Sequence, residues 1–252
     1  MKVLFIGDVV GSRGMEALHK YLPTIKKDYK PNMIFINGEN IAKGLGITEK
    51  LYKELMTLGA NVITLGNHAF SKREVSDFIN DSKLIRPINY PANVPGEGHI
   101  IVKYNDIKVC VINLMGRVFM NEGMENPFYK MDEVLKDIEA DYIFVDFHAE
   151  TTSEKLALAH YLDGRVTAVV GTHTHVPTAD AMTLPNNTMY ITDIGMTGTK
   201  YGIIGADKNQ IINRFLTAMH SRMEEDMSKE LQFNAVLMDT DTSTIKQIQI
   251  IE

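Results

Sequence analysis

Five times along this chain a short, strongly apolar run stops abruptly at acid, amide or imidazole side chains. Val3-Leu-Phe-Ile6 leads to Gly7-Asp8, Met33-Ile-Phe-Ile36 to Asn37-Gly-Glu39-Asn40, and Asn61-Val-Ile-Thr-Leu65 to Gly66-Asn67-His68. Asp141-Tyr-Ile-Phe-Val145 leads to Asp146-Phe-His148, and Val166-Thr-Ala-Val-Val170 to Gly171-Thr-His173-Thr-His175. Runs this short and this rich in branched and aromatic residues read as strands covered on both faces. Polar groups gather beyond the carboxyl ends of such strands in α/β sheets. Side chains alternate along extended backbone, so His173 and His175 are expected to leave their strand on one side.

Amphipathic segments separate the runs. Met15, Leu18 and Leu22 share a helical face with a kink expected at Pro23, and Thr48 can cap a helix carrying Leu51, Leu55 and Leu58. Ser71 with Glu74, and Thr151 with Glu154, have capping-box spacing; the first precedes a helix buried through Val75, Phe78 and Ile79. Met131, Leu135 and Ile138 share another face, and a helix from about Asp207 aligns Ile212, Phe215, Leu216 and Met219. Hairpins are expected across Asn105-Asp106 and Pro185-Asn186-Asn187, and two alternating strands, about 231–238 and 244–251, close the chain. Residues 86–98 and 116–130 read as irregular loops, and the glycine-rich stretch 193–198 follows a strand near the expected site. Parallel-type strands with crossover helices, together with hairpins, predict two mixed sheets with helices outside, in one domain spanning 1–252.

Composition narrows the function classes. No run approaches a bilayer span, and the first residues enter a strand without a signal-peptide cleavage pattern, which predicts a cytoplasmic protein with no membrane partner. Cys110 is the single cysteine and sits inside an apolar run, so it reads as a small core residue. The net charge of −6 comes with no basic stripe, which argues against duplex nucleic acid as a partner. An acidic chain can still act on phosphate esters when metal ions supply positive charge.

The strand-end set, Asp8, Glu39, Asn40, Asn67, His68, His148, His173 and His175, offers oxygen and imidazole nitrogen and no thiolate. That donor set suits Mn²⁺, Fe²⁺/Fe³⁺ or Zn²⁺. It exceeds what one ion needs, and a carboxylate able to bridge implies two ions roughly 3.5–4 Å apart that activate a bridging water for in-line attack on phosphorus. Glu39 is the candidate bridge, and His68, adjacent to Asn67, can face the substrate and protonate a leaving alkoxide. His19, His99, His160 and His220 have no matching partners and read as ordinary polar residues.

Gly7-Asp8, Asn37-Gly-Glu-Asn40, Gly66-Asn-His68, His148 and Gly171-Thr-His-Thr-His175 resemble the calcineurin-like metallophosphoesterase pattern. The longer strings 7–14, 37–44 and 171–177 narrow the resemblance to its bacterial YmdB-like branch. The resemblance implies a four-layer αββα sandwich, a binuclear iron or manganese centre, and hydrolysis of 2′,3′-cyclic nucleotides and generic phosphodiesters. It places Asp8, Glu39, Asn40 and His175 on one ion. Glu39, Asn67, His148 and His173 fall on the other, with His68 as proton donor. Two departures from the wider superfamily stand out: Asp8-Val9-Val10 replaces Asp-x-His, with Asn40 standing in, and the bridging acid is a glutamate.

Three rivals remain open on sequence. A phosphomonoesterase or nucleotidase could use the same ions, and a regulatory scaffold could keep the metals with little turnover. A nucleotide-binding module is disfavoured because Gly7, Gly11 and Gly14 lack the G-x-G-x-x-G spacing. The expected partner is a small nucleotide or phosphodiester substrate, with a homo-oligomer as the default assembly.

Overall fold

Val3 and Phe5 pack toward one core while Leu4 and Ile6 pack toward another, as the pleat of a two-sided strand requires. A computed structural model describes residues 1–120, 123–219 and 223–252; His220 and part of the 116–130 loop lie outside them. In chain order the elements begin β1 (Lys2–Ile6), α1 (Gly11–Tyr29), β2 (Met33–Asn37), α2 (Glu49–Leu58), β3 (Val62–Thr64), α3 (Val75–Phe78) and β4 (Leu84–Ile85). The middle adds β5 (His99–Tyr104), β6 (Ile107–Met115), α4 (Pro127–Val134), β7 (Tyr142–His148), α5 (Thr152–Tyr161) and β8 (Ala168–Thr172). The remainder is β9 (Met182–Thr183), β10 (Met189–Ile191), β11 (Gly198–Thr199), α6 (Lys208–Thr217), β12 (Leu231–Asp239) and β13 (Thr244–Ile251).

The first sheet runs β11-β12-β1-β2-β3-β4, with β13 also paired to β12, and its β1 to β4 are parallel. The second runs β5-β6-β7-β8-β10-β9, parallel from β6 to β10 with an antiparallel strand at each edge. Three apolar cores separate four layers. Leu18, Leu22 and Leu55 cover the outer face of the first sheet, and Met131 and Leu158 cover that of the second. Between the sheets Phe35 meets Phe5 edge-on at 5.8 Å and Phe144 at 5.6 Å. The architecture is the αββα sandwich expected. Cys110 is fully buried, and burial pushes its thiol up to about 12, as fits a core residue.

Several local expectations need correction. The helix expected after Ser71 shrinks to the four residues of α3 and a 3₁₀ turn. Glu74 accepts from the Glu49 backbone N–H instead of closing a capping box. Glu154 is likewise drawn away, to the backbone N–H groups of Arg117 and Val118. Each carboxylate meets donors from another part of the chain, a competition that local spacing does not register. Thr48 does cap α2, accepting from Leu51 N at 3.3 Å. The apolar face of α6 buries only Ile211; Phe215 and Leu216 stay 85% and 79% exposed.

Candidate metal centre

Strands β1, β2, β3, β7 and β8 all deliver their carboxyl ends to one edge of the sandwich, and the polar residues collect there. Asp8 follows β1, Glu39 and Asn40 follow β2, Asn67 and His68 follow β3, and His148 ends β7. Strand β8 stops at Thr172, before the two histidines. His173 (φ 101°) and His175 (φ 65°) both take left-handed backbone, so a strained turn rather than strand alternation aims them.

The tightest convergence is at His148 Nε2. It lies 2.9 Å from Glu39 Oε1, 2.9 Å from Asn67 Oδ1 and 3.0 Å from His173 Nδ1. A single ring nitrogen carrying one hydrogen can satisfy one of these three, whereas a cation satisfies several at once. Glu39, His148 and His173 offer ligand atoms mutually within 4.8 Å. Beside them Asp8 is fully buried, its Oδ2 accepts from His173 N at 3.2 Å, and its Oδ1 accepts no hydrogen bond among the described residues. A buried carboxylate oxygen without a donor is costly unless a cation is its partner. The donor set therefore fits a hard or borderline metal.

On the far side His175 Nε2 sits 3.3 Å from Asn40 Oδ1, and its Nδ1 contacts the Ile204 carbonyl at 3.0 Å. Glu39 is engaged toward β3 and β7: Oε2 accepts from His68 N at 3.0 Å, and Oε1 meets His148. His68 Nε2 rests 3.3 Å from the Asn67 side-chain amide and only partly covered, at the site margin. Gly66 makes this approach possible, since a Cβ there would land on the His148 ring and the Glu39 carboxylate.

The electrostatics follow from burial among like and unlike charges. Burial works against charge on His148, but Glu39, Asp8 and Asp146 override it and raise the imidazole to about 9. Burial, reinforced by His148, drops His173 to about 3. Glu39 is held at about 2 despite burial, chiefly by His148. Burial lifts Asp146 to about 6 and also raises Asp8 above the usual carboxylate range.

Sequence reading missed the residues behind this set. His148 Nδ1 contacts Thr172 Oγ1 at 2.9 Å, and Thr172 donates to Asp146 Oδ1 at 2.7 Å. Asp146 Oδ2 also accepts from Thr64 and, at 3.0 Å, from Asn37 Nδ2, so the acid ties both sheets beneath the site. Fully buried Lys155 donates to Asp193 Oδ2 at 2.7 Å and to the Thr172 carbonyl at 2.8 Å. Asp193 accepts in turn from Thr174 N and Gly195 N, which fixes the turn between the two histidines. The stretch 193–198 thus has a structural connection to the site. Glu150, half exposed, reaches His173 Nε2 at 3.1 Å. The signal for Asp146 was its place two residues before His148; nothing in sequence separates Lys155 from a solvated helix lysine.

A family model described as YmdB-like protein matches residues 4–252. The chain belongs to the YmdB-like family. A Bacillus subtilis member, a 2′,3′-cyclic-nucleotide 2′-phosphodiesterase, is 49% identical over 99% of this chain and 95% of its own length. A solved Thermus thermophilus protein described as hypothetical superposes with a TM-score of 0.95 at 40% identity, covering all of both chains. A Mycoplasma pneumoniae structure described as a novel phosphatase gives 0.93 at 36% identity, over all of this chain and 94% of its own. The two solved structures share its αββα sandwich over the whole chain.

Proposed function

We propose that this YmdB-like chain, acting as one domain over residues 1–252, is a metal-dependent phosphoric diester hydrolase that opens 2′,3′-cyclic nucleotides. The observation that carries the reading is the crowding of Glu39, Asn67 and His173 around His148 Nε2. The similarity to the B. subtilis phosphodiesterase supports the substrate class.

Glu39, Asn67, His148 and His173 would hold one ion, and Asp8, Asn40 and His175 a second with Glu39 shared; iron or manganese suits this donor set. When bound, the pair supplies an activated water and neutralises phosphoryl charge. Asp8, buried and lacking a donor at Oδ1, keeps its carboxylate aimed into the centre. Thr172 and Asp146 hold the His148 ring so that Nε2 faces inward. His68, at the margin, is placed to give a proton to the ribose oxygen that leaves phosphorus. No helix among the described residues is long and apolar enough to cross a membrane, and we place the reaction in the cytoplasm on small nucleotides.

A phosphomonoesterase reading draws on the M. pneumoniae relative described as a phosphatase. The test compares turnover of 2′,3′-cyclic AMP, an aryl phosphodiester and AMP by manganese-loaded protein, with element analysis of the metal. We expect diester cleavage well above AMP hydrolysis, and loss of at least about 100-fold in kcat with Glu39→Gln while the fold stays intact. Faster AMP hydrolysis would select the monoesterase. Absence of turnover on all three substrates, with Glu39→Gln unfolding the chain, would select the scaffold.

A further inference from the structure

His173 is held differently from the other two imidazoles of the site. His148 turns Nε2 inward and keeps Nδ1 against Thr172 Oγ1, and His175 points Nε2 toward Asn40 and Nδ1 toward the Ile204 carbonyl. His173 does the reverse: Nδ1 faces His148 Nε2 at 3.0 Å, and Nε2 faces Glu150 Oε2 at 3.1 Å. Glu150 lies two residues past His148, in the turn from β7 into α5, and its carboxylate makes no other hydrogen bond or ion pair among the described residues. The His173 ring meets the His148 ring edge-on at 4.7 Å between centroids and is 21% exposed, so packing alone does not enclose it. Its left-handed backbone sets where the side chain leaves the turn, but not how the ring is rotated. That last torsion is broad and roughly twofold, and a half-turn would put Cδ2 where Nδ1 now stands.

We propose that Glu150 is a positioning residue for the candidate metal centre: by accepting from His173 Nε2 it keeps the hydrogen there and leaves the Nδ1 lone pair aimed toward Glu39 and His148. The assignment rests on the metal-centre reading of the site. A ligand histidine tied through its second nitrogen to a carboxylate has a fixed ring orientation and a more basic ligating nitrogen. Thr172 does this for His148 from inside the core, and a backbone carbonyl does it for His175. Of the three imidazoles, His173 alone depends on a side chain that solvent reaches, since the Glu150 side chain is 48% exposed. Glu150 is therefore the part of the ligand frame that a substitution removes without opening the core.

Manganese titration of chelator-treated protein, read by competition with a dye chelator, tests the assignment in wild type, Glu150→Ala and Glu150→Gln. We expect Glu150→Ala to weaken one manganese equivalent by about 10–100-fold. Its metal-free thermal midpoint should match that of wild type, because the residue packs against little. Glu150→Gln loses the charge but keeps an oxygen that accepts from Nε2, and should recover most of the affinity. At saturating manganese, KM for 2′,3′-cyclic AMP should stay at the wild-type value in all three. Unchanged manganese affinity in Glu150→Ala would overturn the proposal. Glu150→Gln binding as weakly as Glu150→Ala would assign the effect to charge rather than to positioning, and would overturn it too. So would a raised KM with unchanged manganese affinity, which would put Glu150 on the substrate. These three results leave the metal centre standing, whereas a wild-type protein that takes up no manganese removes the centre and the proposal together.

Discussion

Lys155 has no solvent exposure, and its ammonium is held by one carboxylate and one carbonyl. Burial of such a pair brings little net stability, but removing one member strands the other charge. Lys155→Met should therefore cost about 3–5 kcal/mol in urea unfolding, and Lys155→Met/Asp193→Asn should recover part of that loss. A double variant as unstable as the single one would mean that Asp193 is satisfied by Thr174 N and Gly195 N alone. At this scale the candidate ligands could be picked out in sequence because each lies at or just past the end of an apolar strand, and the structure brings Glu39, Asn67, His148 and His173 together. Lys155 and Asp193 could not, since their pairing depends on how α5 lies against the end of β8. Glu150 escaped for a related reason: it follows His148 by two residues, yet only the turn at His173 brings a partner to it.

Among the elements, strands were far easier to anticipate than short helices. Val3–Ile6, Met33–Ile36 and Val109–Ile112 are apolar in every position, and both hairpins form around the asparagine-bearing turns expected. Helix α3 failed because Glu74, needed for its cap, bonds to the first turn of α2 instead. The apolar stripe on α6 is the opposite case: the helix forms where its periodicity predicts but ends at Thr217, before Met219, and Ile212, Phe215 and Leu216 stay open to solvent. Packing between the sheets rests on aromatic contacts at the centre of each strand. Phe35 touches Phe5 within its own sheet and Phe144 in the opposite one, so Phe35→Ala should remove about 3–5 kcal/mol of stability, measured by denaturant midpoint at constant m. A cost below about 1 kcal/mol would show that the two sheets close over the gap.

For the molecule as a whole, the edge where the two sheets meet gathers Asp8, Glu39 and Asp146 beneath three imidazoles, and their mutual interactions depend on what charge is bound. Ligands that bind only the folded chain raise its stability by mass action. Chelator-treated protein is accordingly expected to melt several degrees lower than metal-loaded protein, and manganese should restore the midpoint in a concentration-dependent way. An unchanged midpoint after complete metal removal, checked by element analysis, would mean that the ligands are held as firmly without ions. The topology carries a separate consequence for biosynthesis. Strand β1 sits between β2 and β12, so its second neighbour is the penultimate strand of the chain. A ribosome must therefore emit more than two hundred further residues before that open edge is sealed, and until then the nascent chain exposes a template for aberrant pairing that chaperones or speed of synthesis must guard.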